Sequence, residues 1–116
     1  MESKSASWPQ QYGLTLCPAT AIDPTIPATA LGVAVIFALH PAGEKTYLVI
    51  ESRATPLRQQ CLKRLKTATL PPVAELTIAF KIEPVADDSP AALDAACRQQ
   101  VILAGELRRA LRPALR

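Results

Sequence analysis

The chain has 116 residues, 49% of them hydrophobic, and a formal net charge of +3; that length and apolar mass suit one domain with a real core and exclude two ordinary ones. No apolar run approaches the ~20 residues that cross a bilayer, and the first residues show no basic-then-apolar leader pattern, so a soluble, cytoplasmic protein with no membrane partner is expected. Cys17, Cys61 and Cys97 are odd in number and have no paired spacing for zinc or dithiol chemistry, which points to reduced, buried structural thiols.

In chain order, residues 1–30 hold Trp8, Tyr12 and four prolines (Pro9, Pro18, Pro24, Pro27) with little periodicity. An extended N-terminal arm is expected there, with residues 1–7 mobile. Trp8 and Tyr12, beside Leu14 and Leu16, offer large apolar area either to pack the arm on the rest of the chain or to contact a partner. Residues 32–39 are rich in β-branched side chains and close on His40, Pro41, Ala42 and Gly43, as a strand entering a turn. Residues 46–52 read as the return strand. Thr55 and Pro56 then suggest an N-cap and a first-turn proline for a helix whose apolar face carries Leu57, Cys61, Leu62 and Leu65.

Pro71 and Pro72 end that helix and force an extended connection. Leu76, Ile78, Phe80 and Ile82 alternate with Thr77, Ala79, Lys81 and Glu83, the pattern of a strand with one buried and one wetter face. Ser89-Pro90 repeats the cap-plus-proline start, with Asp87 and Asp88 upstream. Leu93, Cys97, Val101 or Gln100, Leu103 or Gly105, and Leu107 trace the inward stripe of a second helix, widened by Ile102 and Leu111, with a break or kink expected at Gly105. The result is an α+β fold: a three-stranded, mostly antiparallel sheet flanked by two or more helices, with an arm over 1–30, a domain over 31–112 and a basic tail over 113–116.

Charge is unevenly spread. Arg53, Arg58, Lys63, Arg64 and Lys66 fall in a stretch without an acid, and Arg108, Arg109, Arg112 and Arg116 crowd the C-terminus. Such asymmetry marks either an anionic partner or a solvated helix face. His40 is the only histidine and lacks partners for a metal site or a triad, and no glycine-rich phosphate loop is present.

In element order and at a few positions, residues 30–108 resemble the GIY-YIG domain, an α+β module best known in nucleases that cut DNA. Gly32, Val33 and Ala34 stand at the first motif, with Ala34 in place of its tyrosine. Leu48, Val49 and Ile50 stand at the second, with Ile50 in place of its glycine, followed by Ser52-Arg53 as in some plant and cyanobacterial relatives. In an alternative register Tyr47 is the family tyrosine; a one-residue slip would put it on the opposite face from Leu48.

The resemblance implies an arginine on the following helix, matched by Arg58, and a metal-holding glutamate on a later helix, for which Asp94 is the only nearby acid. With one group in four well matched, it implies a catalytically degenerate domain. Arg53, Arg58, Lys63, Arg64, Arg108 and Arg109 would bind nucleic acid without a cofactor. Two alternatives stand beside this: a protein-interaction subunit of a larger assembly that docks through Trp8, Tyr12 and the arginine-rich tail, or an active Mg²⁺-dependent nuclease using Tyr47, Arg58 and Asp94.

Overall fold

Residues 33–38 give a strand with no side suited to water, and the fold buries it from both faces. In the computed structural model, whose described residues are 8–40, 43–85 and 87–115, β2 (Gly32–His40) is an interior strand. With β1 (Thr15–Pro18), β3 (Gly43–Glu51) and β4 (Thr77–Ile82) it forms one sheet in the order β1-β4-β2-β3, every pair antiparallel. None of residues 33–38 is more than 1% exposed, which accounts for their unbroken apolar run.

The sheet therefore has four strands, not three. The fourth comes from the stretch expected to be an extended arm: Cys17 pairs with Ile78 at the sheet edge. Around it lie α1 (Trp8–Gln11), a 3-10 turn at Ala19–Ala21 and α2 (Ile22–Thr25). Elements of three or four residues cannot display a period in sequence, so local pattern left them invisible. Residues 1–7, expected to be mobile, lie outside the described residues, as do Pro41 and Ala42 of the hairpin turn and Arg116 of the tail.

One sheet face packs Ala34, Ile36, Leu48, Ile50, Ile78 and Phe80 against Ile22, Ile26 and α3 (Leu57–Thr67), which contributes Leu57 and Cys61. The other packs Val33, Val35, Phe37, Val49 and Ala79 against Ala104 and Leu107 of α4 (Pro90–Leu111), with Trp8 alongside. The wetter face expected for β4 is thus partly dry: Ala79 is fully buried because α4 covers it.

The two helix starts differ from each other. Ser89 caps α4 as expected, its hydroxyl accepting from Ala92 N at 3.1 Å, while the Asp87 carboxylate accepts from Ser89 N at 2.8 Å. For α3 the expected Thr55 cap does not form. Pro56 itself occupies the N-cap and no side chain caps it; Leu57 N instead donates to Ala30 O at 2.8 Å. The helix α4 runs unbroken through Gly105, and its buried residues are Ala96, Gln100, Ala104 and Leu107. Of the two alternatives for the inward stripe, Gln100 is the buried one; Val101 points to water, as does Ile102, expected to widen the stripe.

After α4, Arg112 adopts the left-handed conformation (φ 51°) and the chain returns along β3: Ala114 N and Leu115 N donate to Thr46 O and Tyr47 O at 3.0 and 2.8 Å. The tail is thereby tied to a sheet edge. Among the described residues no helix is long and apolar enough to cross a membrane.

Candidate functional site

The chain leaves β3 at Glu51, turns through Ser52 and Arg53, and enters α3 four residues later. Arg53 takes φ 55°, a region that costs an L-residue about 1–2 kcal/mol relative to ordinary backbone. The turn is held from outside by the fully buried Gln100 of α4. Gln100 Oε1 accepts from Arg53 N and, at 3.2 Å, from Ser52 Oγ; Gln100 Nε2 donates to Arg53 O at 3.2 Å. Ser52 Oγ also accepts from Gly32 N at 2.9 Å. One buried amide therefore ties the start of β2, the end of β3 and the middle of α4 together.

Outside this knot lies a polar cleft of about 390 Å³, lined by Glu51, Arg53, Thr55, Gln60, Arg64 and Arg108 among others. Three guanidinium groups converge on it. Glu51, its carboxylate side chain only 10% exposed, stands between two of them: its Oε2 lies 3.2 Å from Arg53 Nε and its Oε1 2.9 Å from Arg108 NH1. Arg108 also donates to Val49 O at 3.1 Å, which aims its guanidinium across the edge of β3. Gln60 and Arg64, one turn apart on α3, close the far side. Three guanidinium groups and one carboxylate thus line the cleft.

The other sequence candidates are placed elsewhere. Arg58 projects from the flank of α3 about 120° from Arg64, where Nε donates to Ile26 O at 2.8 Å and NH2 donates to Asp23 O. It clamps the α2 segment to α3. Lys63 stands exposed beside the cleft edge of α3, and Arg109 projects from the outer side of α4, about 100° round the helix from Arg108. Asp94 is exposed and pairs with Arg98 one turn on, at 3.3 Å. Because α3 and α4 pack on opposite faces of the sheet, Arg58 and Asp94 are not brought together.

Tyr47 is resolved by an irregularity in pairing. Ile36 faces Leu48 but Phe37 faces Thr46, so Tyr47 is the extra residue of a bulge. Tyr47 and Leu48 both join the core on the α3 face, not opposite faces as expected from a regular strand: the bulge places two consecutive side chains on one side. Lys45 Nζ lies 5.2 Å from the Tyr47 ring centroid.

Trp8 and Tyr12 pack on the α4 side of the sheet. The Trp8 ring meets Phe37 edge-on at 5.1 Å, and its Nε1 donates to the Glu44 carboxylate. Burial pushes the Cys61 thiol up to about 12, with Cys17 adding to the rise, and raises Cys17 as well; both are poor nucleophiles. Among the described residues no three His, Cys, Asp or Glu side chains gather as metal ligands.

Gln100, the alternative to Val101 on the inward stripe, was not among the site residues expected from sequence. The available signal was an amide inside an apolar helical stripe, one residue from the more hydrophobic Val101. The chain matches no protein-family model, no curated protein and no solved structure.

Proposed function

We propose that this chain is a catalytically degenerate GIY-YIG-like domain that acts as a binding module, taking the phosphate backbone of a nucleic acid into the cleft of Arg53, Arg64 and Arg108. The observation that carries the reading is the convergence of three guanidiniums from three different elements on one polar cleft at the β3–α3 corner. Planar guanidinium forks suit phosphate oxygens, and most contacts of such a module would be to phosphates. Arg53 adds weight. A glycine would adopt φ 55° at less cost, so an arginine held there by Gln100 is consistent with a side chain retained for a ligand. Lys63, exposed at the cleft edge, extends the track.

Binding without cleavage follows from the residues at the family's catalytic positions. Ala34 and Leu48 are aliphatic and fully buried, so neither moves a proton. Arg58 is engaged by two backbone carbonyls, and Asp94 by Arg98. A protein-interaction role through Trp8 and Tyr12 has less support, because both side chains are used within the fold.

The test is a titration of the full chain against labelled single-stranded, duplex and branched DNA and structured RNA, with Mg²⁺, at low and moderate salt. Binding is expected without cleavage, with a log K against log[salt] slope on duplex DNA of about −2 to −3 for two or three phosphates neutralised. The Arg53→Gly, Arg64→Ala double variant should flatten that slope by about 1–2. No binding at low salt would refute the reading and direct attention to a protein partner; cleavage would restore the nuclease.

A further inference from the structure

The helix α4 is 22 residues long, and only one side of it lies on the sheet. Its opposite side is not an ordinary polar face. Val101 and Ile102 are 50% and 54% exposed at mid-helix. Gly105 lies one turn further along the same side, and a Cβ built there would meet only the Arg109 side chain, at 3.6 Å. Among the described residues nothing therefore requires glycine at that point, although glycine is the poorest helix former after proline. Absent side-chain bulk that the chain's own packing does not call for is what close approach of another body needs.

The charges on this face define which body. Asp94 and Arg98 lie on the N-terminal side of the apolar pair and Arg109 on the C-terminal side. We propose that α4 pairs antiparallel with α4 of a second copy of this chain, about a two-fold axis passing between Val101 and Ile102. Residues equidistant from the axis then face each other. Val101 packs on Ile102 of the second copy, Arg98 lays its aliphatic stem over Gly105 of the second copy, and Asp94 meets Arg109 of the second copy. Symmetry makes each contact twice.

A parallel pairing would set Asp94 against Asp94 and Arg109 against Arg109, so the charge order selects the antiparallel one. The Asp94–Arg98 pair seen within the helix has side chains 67% and 70% exposed, and both are free to turn to the second copy. A single helix pair falls below the ~1,200 Å² of standard interfaces, so association is concentration-dependent. Cleft and dimer face adjoin: Arg108, which lines the cleft, lies two turns along α4 from Val101 at the border of the dimer face, whereas Arg109 lies about 100° further round.

Sedimentation equilibrium of the full chain over about three decades of concentration, centred near 100 μM as suits so small an interface, tests the proposal. The mass should rise from 12.4 kDa toward twice that value. Ile102→Lys and, separately, Asp94→Arg should each shift the midpoint at least about tenfold to higher concentration, with an unchanged circular dichroism spectrum. Asp94→Arg combined with Arg109→Asp should restore the original midpoint. A monomer at every concentration, association indifferent to Ile102→Lys, or failure of the charge swap to restore pairing would each overturn it.

Discussion

Gln100 has no exposed atom, yet nearly all of its amide's bonding is spent on one two-residue turn. Replacing it with leucine keeps the bulk but leaves Arg53 N without its acceptor and Arg53 O without the amide donor. Gln100→Leu is expected to lower unfolding free energy by about 2–3 kcal/mol in urea titrations; because the turn also aims Arg53, anion binding should weaken in the same variant. Cys61 is a residue-scale case of the opposite kind, a polar atom stabilised by being kept neutral. Its folded value of about 12 lies above the usual 9.0, so between those values the unfolded thiol has released its proton while the folded one holds it. The unfolded state then binds fewer protons, and stability falls as pH rises from about 9 toward 12, by up to about 1.4 kcal/mol per pH unit. Denaturant melts at pH 8 and pH 10.5 should show a larger loss in the wild type than in Cys61→Val. An equal loss in both would assign the effect to other groups.

At the scale of elements, Gly32 opens β2 opposite Ile82 of β4. A Cβ there would sit 2.0 Å from Lys81 O, a backbone atom that cannot swing aside. Gly32→Ala should therefore cost at least about 3 kcal/mol, among the larger effects of a single methyl group, and thermal unfolding of the variant will show it. The glycine that opens the family-like motif thus has a packing reason of its own. Much at this scale was legible locally. The first strand of the hairpin, the strand ending at Ile82, and the Ser89-Pro90 start of α4 are where period and capping chemistry put them, while the return strand, read as 46–52, runs Gly43–Glu51 and begins earlier. The misses have a common cause. β1 and α2 are too short to carry a period, and the α3 start is capped by a carbonyl from residue 30, beyond any local window. In α4, Gln100 and not its alternative Val101 takes the inward position, beside Ala96 and Ala104, and Ile102 faces water.

For the whole molecule, the two sheet edges are treated differently. β1 closes one side as a four-residue strand, short enough to offer little to another chain. β3 on the other side is nine residues long, and its edge carbonyls at Thr46, Tyr47 and Val49 are taken by Ala114, Leu115 and Arg108. Removing residues 112–116 should cost about 1–3 kcal/mol from two backbone hydrogen bonds and part of the Leu115 side chain. It should also expose an edge prone to self-pairing. Light scattering on heating is the measurement; a truncated chain that melts like the full one and stays clear would show that the tail protects nothing.

What the sequence by itself determined is what depends on neighbours along the chain: strand or helix by hydrophobic period, helix limits by proline and serine, the α+β class, and a concentration of arginine around 53–66 and 108–116. Tertiary structure alone decided which of those arginines share a cleft. Arg53, Arg64 and Arg108 are brought to one cleft by three elements, while Arg58, in the same basic run, is turned through about 120° of helix and used as a clamp. It also decided the fourth strand, the bulge that puts Tyr47 beside Leu48, and the inward turn of Gln100. Each of these depends on partners in another element of the fold, and a local pattern holds no record of such contacts.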